Sequence, residues 1–217
     1  MIDHKSKYKE VLQKYIPADS LDIIADWILR FNFNLKITEG RLTKLGDYRS
    51  PLRKDRHLIT INHNLNKYSF LITLVHEIAH LTTFEKHKVA YRRILPHGAE
   101  WKTEYKNLMQ YFMKTEIFPE DVLTALNSYM KNPAASSCSD ENLLRVLRKY
   151  DSKKNTSVHL EDIPVGSTFK YGKDRYFTKG ARIRKRFTCY EVGTKRVYLF
   201  SPLAEVHLVA QPLFNES

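Results

Sequence analysis

The residues best suited to chemistry are His76, Glu77 and His80, which form a His-Glu-Ile-Ala-His pattern inside an apolar stretch. Residues four positions apart lie one above the other on an α-helix, so both imidazoles can point at one ion. Glu77 lies about 100° further round the helix, where its carboxylate can reach a water molecule beside the ion without being a ligand. The spacing therefore predicts a hydrolytic zinc site in which Glu77 acts as general base.

The alternative interpretation of this pattern is purely structural: two core histidines could be hydrogen-bonded to backbone or carboxylate groups and bind no metal. Chance placement gives the pattern in roughly one chain in fifty of this composition. A charged glutamate inside an apolar run is costly unless something compensates for it. This cost favours the metal site over the structural interpretation.

A catalytic zinc site needs a third protein ligand and an open fourth position, and three side chains are candidates. His87 lies seven residues beyond His80, a spacing that does not fit the metzincin pattern. Glu100 lies 20 residues beyond His80, which would suit an enzyme with a glutamate ligand. His97 precedes Gly98, where a glycine lets the backbone turn closely, although a solvent-facing loop histidine is the simpler interpretation of His97 alone. Spacing leaves the choice open.

The elements that must position these residues can be predicted from periodicity. The run from Phe70 to Leu81 is apolar on more than one helical stripe, which predicts a buried central helix with Asn66 as its N-cap. Alternating residues over 32–37 and 56–61 predict two strands upstream of this helix. Further helices are expected in the first 15 residues, after Asp19 or Ser20 as the cap, over 98–113, over 119–130 and from about Asp140.

The chain is predicted to be α+β, with a helix-rich domain that carries a small sheet over 1–152 and a small antiparallel β domain over 153–217. Residues 153–156 are the expected linker. Between the two upstream strands, glycines and a proline indicate a hairpin or irregular strands. The second domain contains short strand-like stretches, and the glycines expected to divide them are Gly172, Gly180 and Gly193.

The charge of the chain favours a polyanionic partner. Lys and Arg number 36 against 24 Asp and Glu, a formal net charge of +12. Between residues 169 and 196 the sequence has ten basic residues and only two acidic ones, Asp174 and Glu191. Such an excess is typical of proteins that bind nucleic acid, although many basic proteins bind none.

The basic window also suggests which residues would contact nucleic acid. If 181–191 is one strand, Arg182, Arg184 and Arg186 project from one face and could follow a phosphate backbone, with Lys185 beside them. The alternative is a solvated face or a charged edge strand that resists aggregation. The aromatic residues available for stacking on unpaired bases are Tyr171, Tyr176, Phe177 and Tyr190, although aromatic residues more often belong to a core.

The sequence VHEIAH at 75–80, followed by HGAEWK at 97–102, resembles the paired motifs of the SprT-like zinc metalloprotease family. The resemblance covers about residues 20–115 and implies a zincin-like fold there. It implies His76, His80 and His97 as Zn²⁺ ligands and Glu77 as general base. It also implies that Glu100 is not a ligand and instead supports the helix that it begins.

The resemblance further implies a zinc metalloendopeptidase that acts on proteins associated with or crosslinked to DNA, in DNA–protein crosslink repair and the DNA damage response. Many family members end in a zinc ribbon with C-x-x-C pairs, whereas this chain has only Cys138 and Cys189. Residues 116–152 add helices beyond the family core. The alternatives are a non-catalytic, DNA- or chromosome-associated adaptor with a structural zinc, and a zinc hydrolase acting on a non-peptide amide.

Composition also bears on location. No run approaches the roughly 20 apolar residues that cross a membrane, and the N-terminus is polar. Two cysteines provide neither a disulfide framework nor a four-cysteine zinc site. We therefore expect a cytoplasmic protein without a membrane partner.

Overall fold

The computed structural model describes residues 4–41, 44–51, 56–89, 94–114, 116–134, 140–152 and 157–209. The fold is α+β, and the chain divides into two compact units, Met1–Asp151 and Ser152–Ser217. This division lies one residue before the predicted boundary, and the predicted linker 153–156 lies outside the described residues. None of the helices in the described ranges combines the length and the apolar character that crossing a membrane requires.

The described residues of the first unit form six α-helices, which are α1 (His4–Leu12), α2 (Leu21–Phe31), α3 (Lys67–His87), α4 (Ala99–Met113), α5 (Glu120–Met130) and α6 (Glu141–Leu147). The N-cap predicted for α3 is confirmed, because the Asn66 side chain accepts hydrogen bonds from the backbone N–H groups of Tyr68 and Ser69. Ser20 is the N-cap residue of α2, one of the two predicted positions, but its side chain makes no capping hydrogen bond to that helix. The Ser20 hydroxyl instead donates to the Pro17 carbonyl at 2.6 Å.

Helix α3 forms the centre of the first unit. Every residue from Ser69 to Ala79 is buried, as expected for a helix whose apolar residues cover more than one stripe. Helix α4 packs beside it, with the buried Trp101 and Tyr105 facing α3. The His-Glu-Ile-Ala-His motif predicted to be catalytic thus lies on this buried central helix.

A three-stranded sheet accompanies α3. Its strands are β1 (Phe33–Thr38), β2 (Gly46–Arg49) and β3 (His57–Asn62), in the order β1-β3-β2. Strand β3 pairs in parallel with β1 and antiparallel with β2. The observed β1 and β3 begin and end one residue later than predicted. Strand β2 is an edge strand next to α3, with Gly46 close to Thr73 and Glu77 of that helix.

The second unit is a six-stranded antiparallel sheet in the order β4-β9-β5-β6-β7-β8. Its strands are β4 (Val158–His159), β5 (Thr168–Tyr171), β6 (Arg175–Ile183), β7 (Arg186–Glu191), β8 (Val197–Phe200) and β9 (Glu205–Leu208). One face buries an apolar cluster centred on Phe169, Phe177 and Val206. Gly172 and Gly193 lie in turns with φ of 74° and 93°, which suits glycine.

Two predictions for the second unit are wrong. Gly180 does not end a strand, because it lies inside β6 next to an irregularity in the β6–β7 pairing. Residues 181–191 are not one strand, because the chain reverses at Arg184 and Lys185. Arg184 adopts a φ of 54° there, and the stretch contains neither glycine nor asparagine, the residues that most often indicate such a turn.

Candidate metal centre

Three histidines from two segments converge on one point. His76 and His80 lie one turn apart on α3, and His97 lies just before α4. The Nε2 atom of His76 is 3.3 Å from Nε2 of His80 and 3.4 Å from Nε2 of His97. In the part of the chain that the structure describes, these three side chains form the group able to hold a metal ion, with their ligand atoms within 4.8 Å of one another.

The spacing of these nitrogens fits a tetrahedral zinc ion. Zinc–imidazole bonds of about 2.0–2.1 Å place two ligand nitrogens of a tetrahedron about 3.3–3.4 Å apart. Two imidazole nitrogens at this distance form a hydrogen bond only when one of them carries a proton. A cation among all three nitrogens satisfies every lone pair at once, so the residues present fit the ion that the sequence motif implies.

Burial keeps these imidazoles in the form that binds metal. It lowers the pKa of His76 to about 2 and that of His80 to about 3, and the neighbouring histidines add to both shifts. Burial also lowers the pKa of His97. All three rings are thus neutral at neutral pH, as ligation requires.

Glu77 is held beside the histidines rather than among them. Its side chain is buried against β2, where the backbone N–H of Tyr48 donates a hydrogen bond to the carboxylate. Gly46 leaves room for it, because a Cβ at this position would lie 2.5 Å from Glu77 Oε1. Burial, together with the charge of Asp47, raises the pKa of Glu77 to about 8, although Arg41, Lys44 and the Tyr48 hydrogen bond oppose the shift. Such a pKa lies close to the working range of a general base.

The site opens into a cleft of about 650 Å³. Its walls come from β2, from the second half of α3 and from residues 94–97. Gly46, Asp47 and Tyr48 line this cleft, although nothing in the sequence pattern singled them out. Their strand is four residues long and shows no alternation of buried and exposed positions, so no periodic signal could have identified it.

Aromatic and polar neighbours fix the histidine rings. The centroid of the Trp101 ring lies 4.7 Å from the ring centroid of His76, 5.4 Å from that of His80 and 4.8 Å from that of His97. The Tyr48 ring is nearly parallel to the His80 ring, with 6.2 Å between the two ring centroids. The Tyr48 hydroxyl lies 3.0 Å from His57 Nδ1, which in turn fixes the position of the tyrosine.

The other two candidates for the third ligand lie outside the histidine group. His87 lines the cleft at the last turn of α3. Glu100 lies in the first turn of α4, where a carboxylate favours the helix dipole. His97 is the candidate that the fold brings to His76 and His80.

The basic residues of the second unit do not form the ridge expected from the sequence. Arg182 pairs with Phe187 across the β6–β7 hairpin, whereas Arg186 pairs with Ile183 and lies on the opposite face. Arg184 and Lys185 form the turn between them. Phe177, expected as a stacking platform, is fully buried, and Tyr171 packs edge-on against Phe200 of the apolar cluster.

Comparison of the chain with protein-family models, with curated proteins and with solved structures gives no match. The resemblance to the SprT-like family thus stays a prediction that rests on the motifs around His76 and His97. The distances and burial of the histidine group concern this chain alone.

Proposed function

We propose that the protein is a zinc-dependent metallopeptidase of SprT-like type, with a zincin-like fold in its first unit. The observation that carries the proposal is that Nε2 of His76 lies at tetrahedral spacing from Nε2 of both His80 and His97, with the buried carboxylate of Glu77 beside this group and outside it. His76, His80 and His97 would hold the zinc ion, and Glu77 would act as the base.

The chemistry divides between the ion and the protein. Bound zinc supplies Lewis acidity, which lowers the pKa of a water molecule and polarises a carbonyl group. Glu77 would accept the proton of the attacking water and deliver it to the leaving amine. The Tyr48 N–H and the space above Gly46 hold its carboxylate at the base of the cleft, where it can do so. Trp101 and Tyr48 keep the imidazole rings in their orientation.

The alternative of an adaptor with a structural zinc is less well supported. A structural site closes with four protein ligands, whereas the described residues bring three together. The cleft beside them has the size of a ligand pocket and leads directly to Glu77. Both features favour catalysis.

The nature of the substrate rests on the resemblance and on charge. The SprT-like motifs favour proteins held at or crosslinked to DNA as substrates, and the net charge of +12 is compatible with DNA as a partner. Hydrolysis of a non-peptide amide is the competing chemistry. Cleavage of casein, or self-cleavage, with and without DNA separates the two.

The decisive experiment replaces Glu77 by glutamine, which keeps the shape of the side chain and removes its basicity. We expect Glu77→Gln to bind one zinc ion per chain, measured by elemental analysis, and to lose cleavage of casein and of itself. Glu100→Gln is the matched control, a carboxylate near the site but outside the histidine group, and should retain both zinc and activity. Retained cleavage by Glu77→Gln would remove Glu77 as the base.

A further inference from the structure

The sheet of the second unit has one face that its own core does not cover. Along β6 the buried Phe177 lies between Tyr176 and Thr178, so these two project to the opposite side. Cys189 is buried on β7, which places Tyr190 on that same side. Tyr198 and Phe200 of β8 pack in the apolar cluster, so Val197 and Leu199 point away from it. We call the surface of Lys170, Tyr176, Thr178, Tyr190, Val197 and Leu199 the outer face.

Strand pairing makes the outer face continuous. Tyr190 pairs with Thr178 on one side and with Val197 on the other. Tyr176 pairs with Lys170 and accepts a backbone hydrogen bond from Val192 at 2.9 Å. The two tyrosines are diagonal neighbours on adjacent strands, a relation that places their Cα atoms on the order of 7–8 Å apart. Both rings are 40% or more exposed, as are Val197 and Leu199.

Cations surround this apolar surface on the turns that join its strands. The β6–β7 turn carries Arg184 and Lys185, the β7–β8 turn carries Lys195 and Arg196, and the β5–β6 turn carries Lys173. All of these residues are exposed.

The nearby carboxylates do not balance these charges. Asp174 pairs with Lys170 at 3.3 Å, and Glu191 pairs with Arg175 at 2.8 Å. Glu205 pairs in register with His159 towards the β4 edge of the sheet. The combination of exposed tyrosine rings and a basic rim suits a ligand with flat apolar groups and regular negative charge.

We infer that the outer face binds single-stranded nucleic acid, with unpaired bases stacked on Tyr176 and Tyr190 and phosphates at the basic turns. A duplex hides the faces of its bases within its own stack, so it can use the rim but not the rings. An acidic peptide could also use the rim, but its side chains lack flat rings to stack on the tyrosines. The inference deepens the nucleic-acid part of the proposed function and does not depend on the metal centre.

The test measures fluorescence anisotropy of a labelled oligo(dT) of about 20 nucleotides, longer than the site of one binding module, against the full chain carrying Glu77→Gln, without a chelator. We expect tighter binding of oligo(dT) than of a duplex of equal length. Tyr176→Leu and Tyr190→Leu should each weaken it about fivefold or more, and Tyr176→Phe should not. Tyr171→Leu is the matched control, because Tyr171 is 39% exposed against 40% for Tyr176 but lies on the opposite face.

Salt dependence tests the rim separately. Removing one cation that binds a phosphate should lower the slope of log affinity against log salt by about 0.7, so Lys185→Gln and Lys195→Gln should each do so. Equal binding of duplex and oligo(dT), equal weakening by Tyr171→Leu and Tyr176→Leu, or equally effective competition by oligoglutamate would overturn the inference. So would a dimer, detected by sedimentation, that Tyr176→Leu dissociates. An oligo(rU) probe decides between DNA and RNA, and binding of either supports the inference.

Because the assay uses the Glu77→Gln chain, its outcome is independent of cleavage. Loss of oligonucleotide binding with normal cleavage would refute nucleic-acid binding by the outer face and leave the peptidase proposal intact. Normal binding with an inactive metal site would refute the peptidase alone. Thermal unfolding of each variant confirms that the sheet is intact, and Tyr176→Leu is the main variant because the Tyr190 ring also packs over Gly180.

Discussion

Gly46 is the position where the smallest change should separate metal binding from catalysis. A Cβ added at residue 46 would lie 2.5 Å from Glu77 Oε1, 2.8 Å from Thr73 Cγ2 and 2.9 Å from Glu77 Cγ, whereas ordinary contact begins at 3.4 Å. Gly46→Ala therefore requires a displacement of about 0.9 Å, the difference between 3.4 and 2.5 Å. Glu77 and β2 must absorb it, because α3 is buried around Thr73.

The expected magnitudes follow from this displacement. Overpacking of this kind costs typically about 1–3 kcal/mol, while replacing glycine by alanine without backbone strain returns about 0.4–1 kcal/mol through the unfolded state. Gly46 has no positive φ, so the second effect applies. Misplacing a catalytic group by about 1 Å can cost about 100-fold in rate. We expect Gly46→Ala to lose about 100-fold in casein cleavage and about 1–2 kcal/mol in stability.

Zinc content and urea unfolding complete the assay. The atoms nearest to the added Cβ belong to Glu77 and Thr73 rather than to the three histidines, so Gly46→Ala should still bind one zinc ion per chain. Gly40→Ala is the matched control: its Cβ would meet the end of the exposed Asn64 side chain at 2.8–3.0 Å, which can rotate away. If Gly46→Ala kept full activity and unchanged stability, packing of Glu77 between α3 and β2 would not be what holds its carboxylate in place.

Two further predictions concern the histidines. His97→Ala should weaken zinc affinity strongly in a chelator competition while Glu100→Ala leaves it unchanged; the reverse result would make Glu100 the third ligand. In EDTA, stability should fall as the pH drops below about 6.5, because unfolded histidines take up protons while His76 and His80, with pKa values near 2 and 3, do not. Each should cost about 2 kcal/mol at pH 5, and urea midpoints that stay constant from pH 8 to pH 5 would contradict this.

The helical part of the fold was predictable because its signals are local. Asn66 caps α3 through its own side chain, and the apolar run behind it continues for several turns. The starts of α4 and α5 likewise follow Gly98 and Pro119 as the sequence indicates. Such features depend on neighbours within four residues, so one sequence is enough to find them.

What the sequence could not provide depends on contacts distant in the chain. Gly46 matters because of Glu77, which lies 31 residues away in sequence, and no local pattern links them. The choice of His97 over Glu100 depends on how α4 docks on α3. The turn at Arg184 was hidden because the stretch contains neither glycine nor asparagine, and the pairing of β6 with β7 decided where the chain reverses.

The electrostatics of the first unit give a reason for the whole arrangement. Three neutral imidazoles and one carboxyl group lie together at the buried middle of α3, and burial disfavours the charged form of each. His76 Nδ1 has no hydrogen-bond partner among the described residues, so one polar atom of this buried ring is left unsatisfied. A divalent cation bound by the three histidines would offset the cost of burying them and would favour the charged form of Glu77. The site is consistent as a metal centre and costly as a cluster of core histidines, which is why removal of the ion should destabilise the first unit.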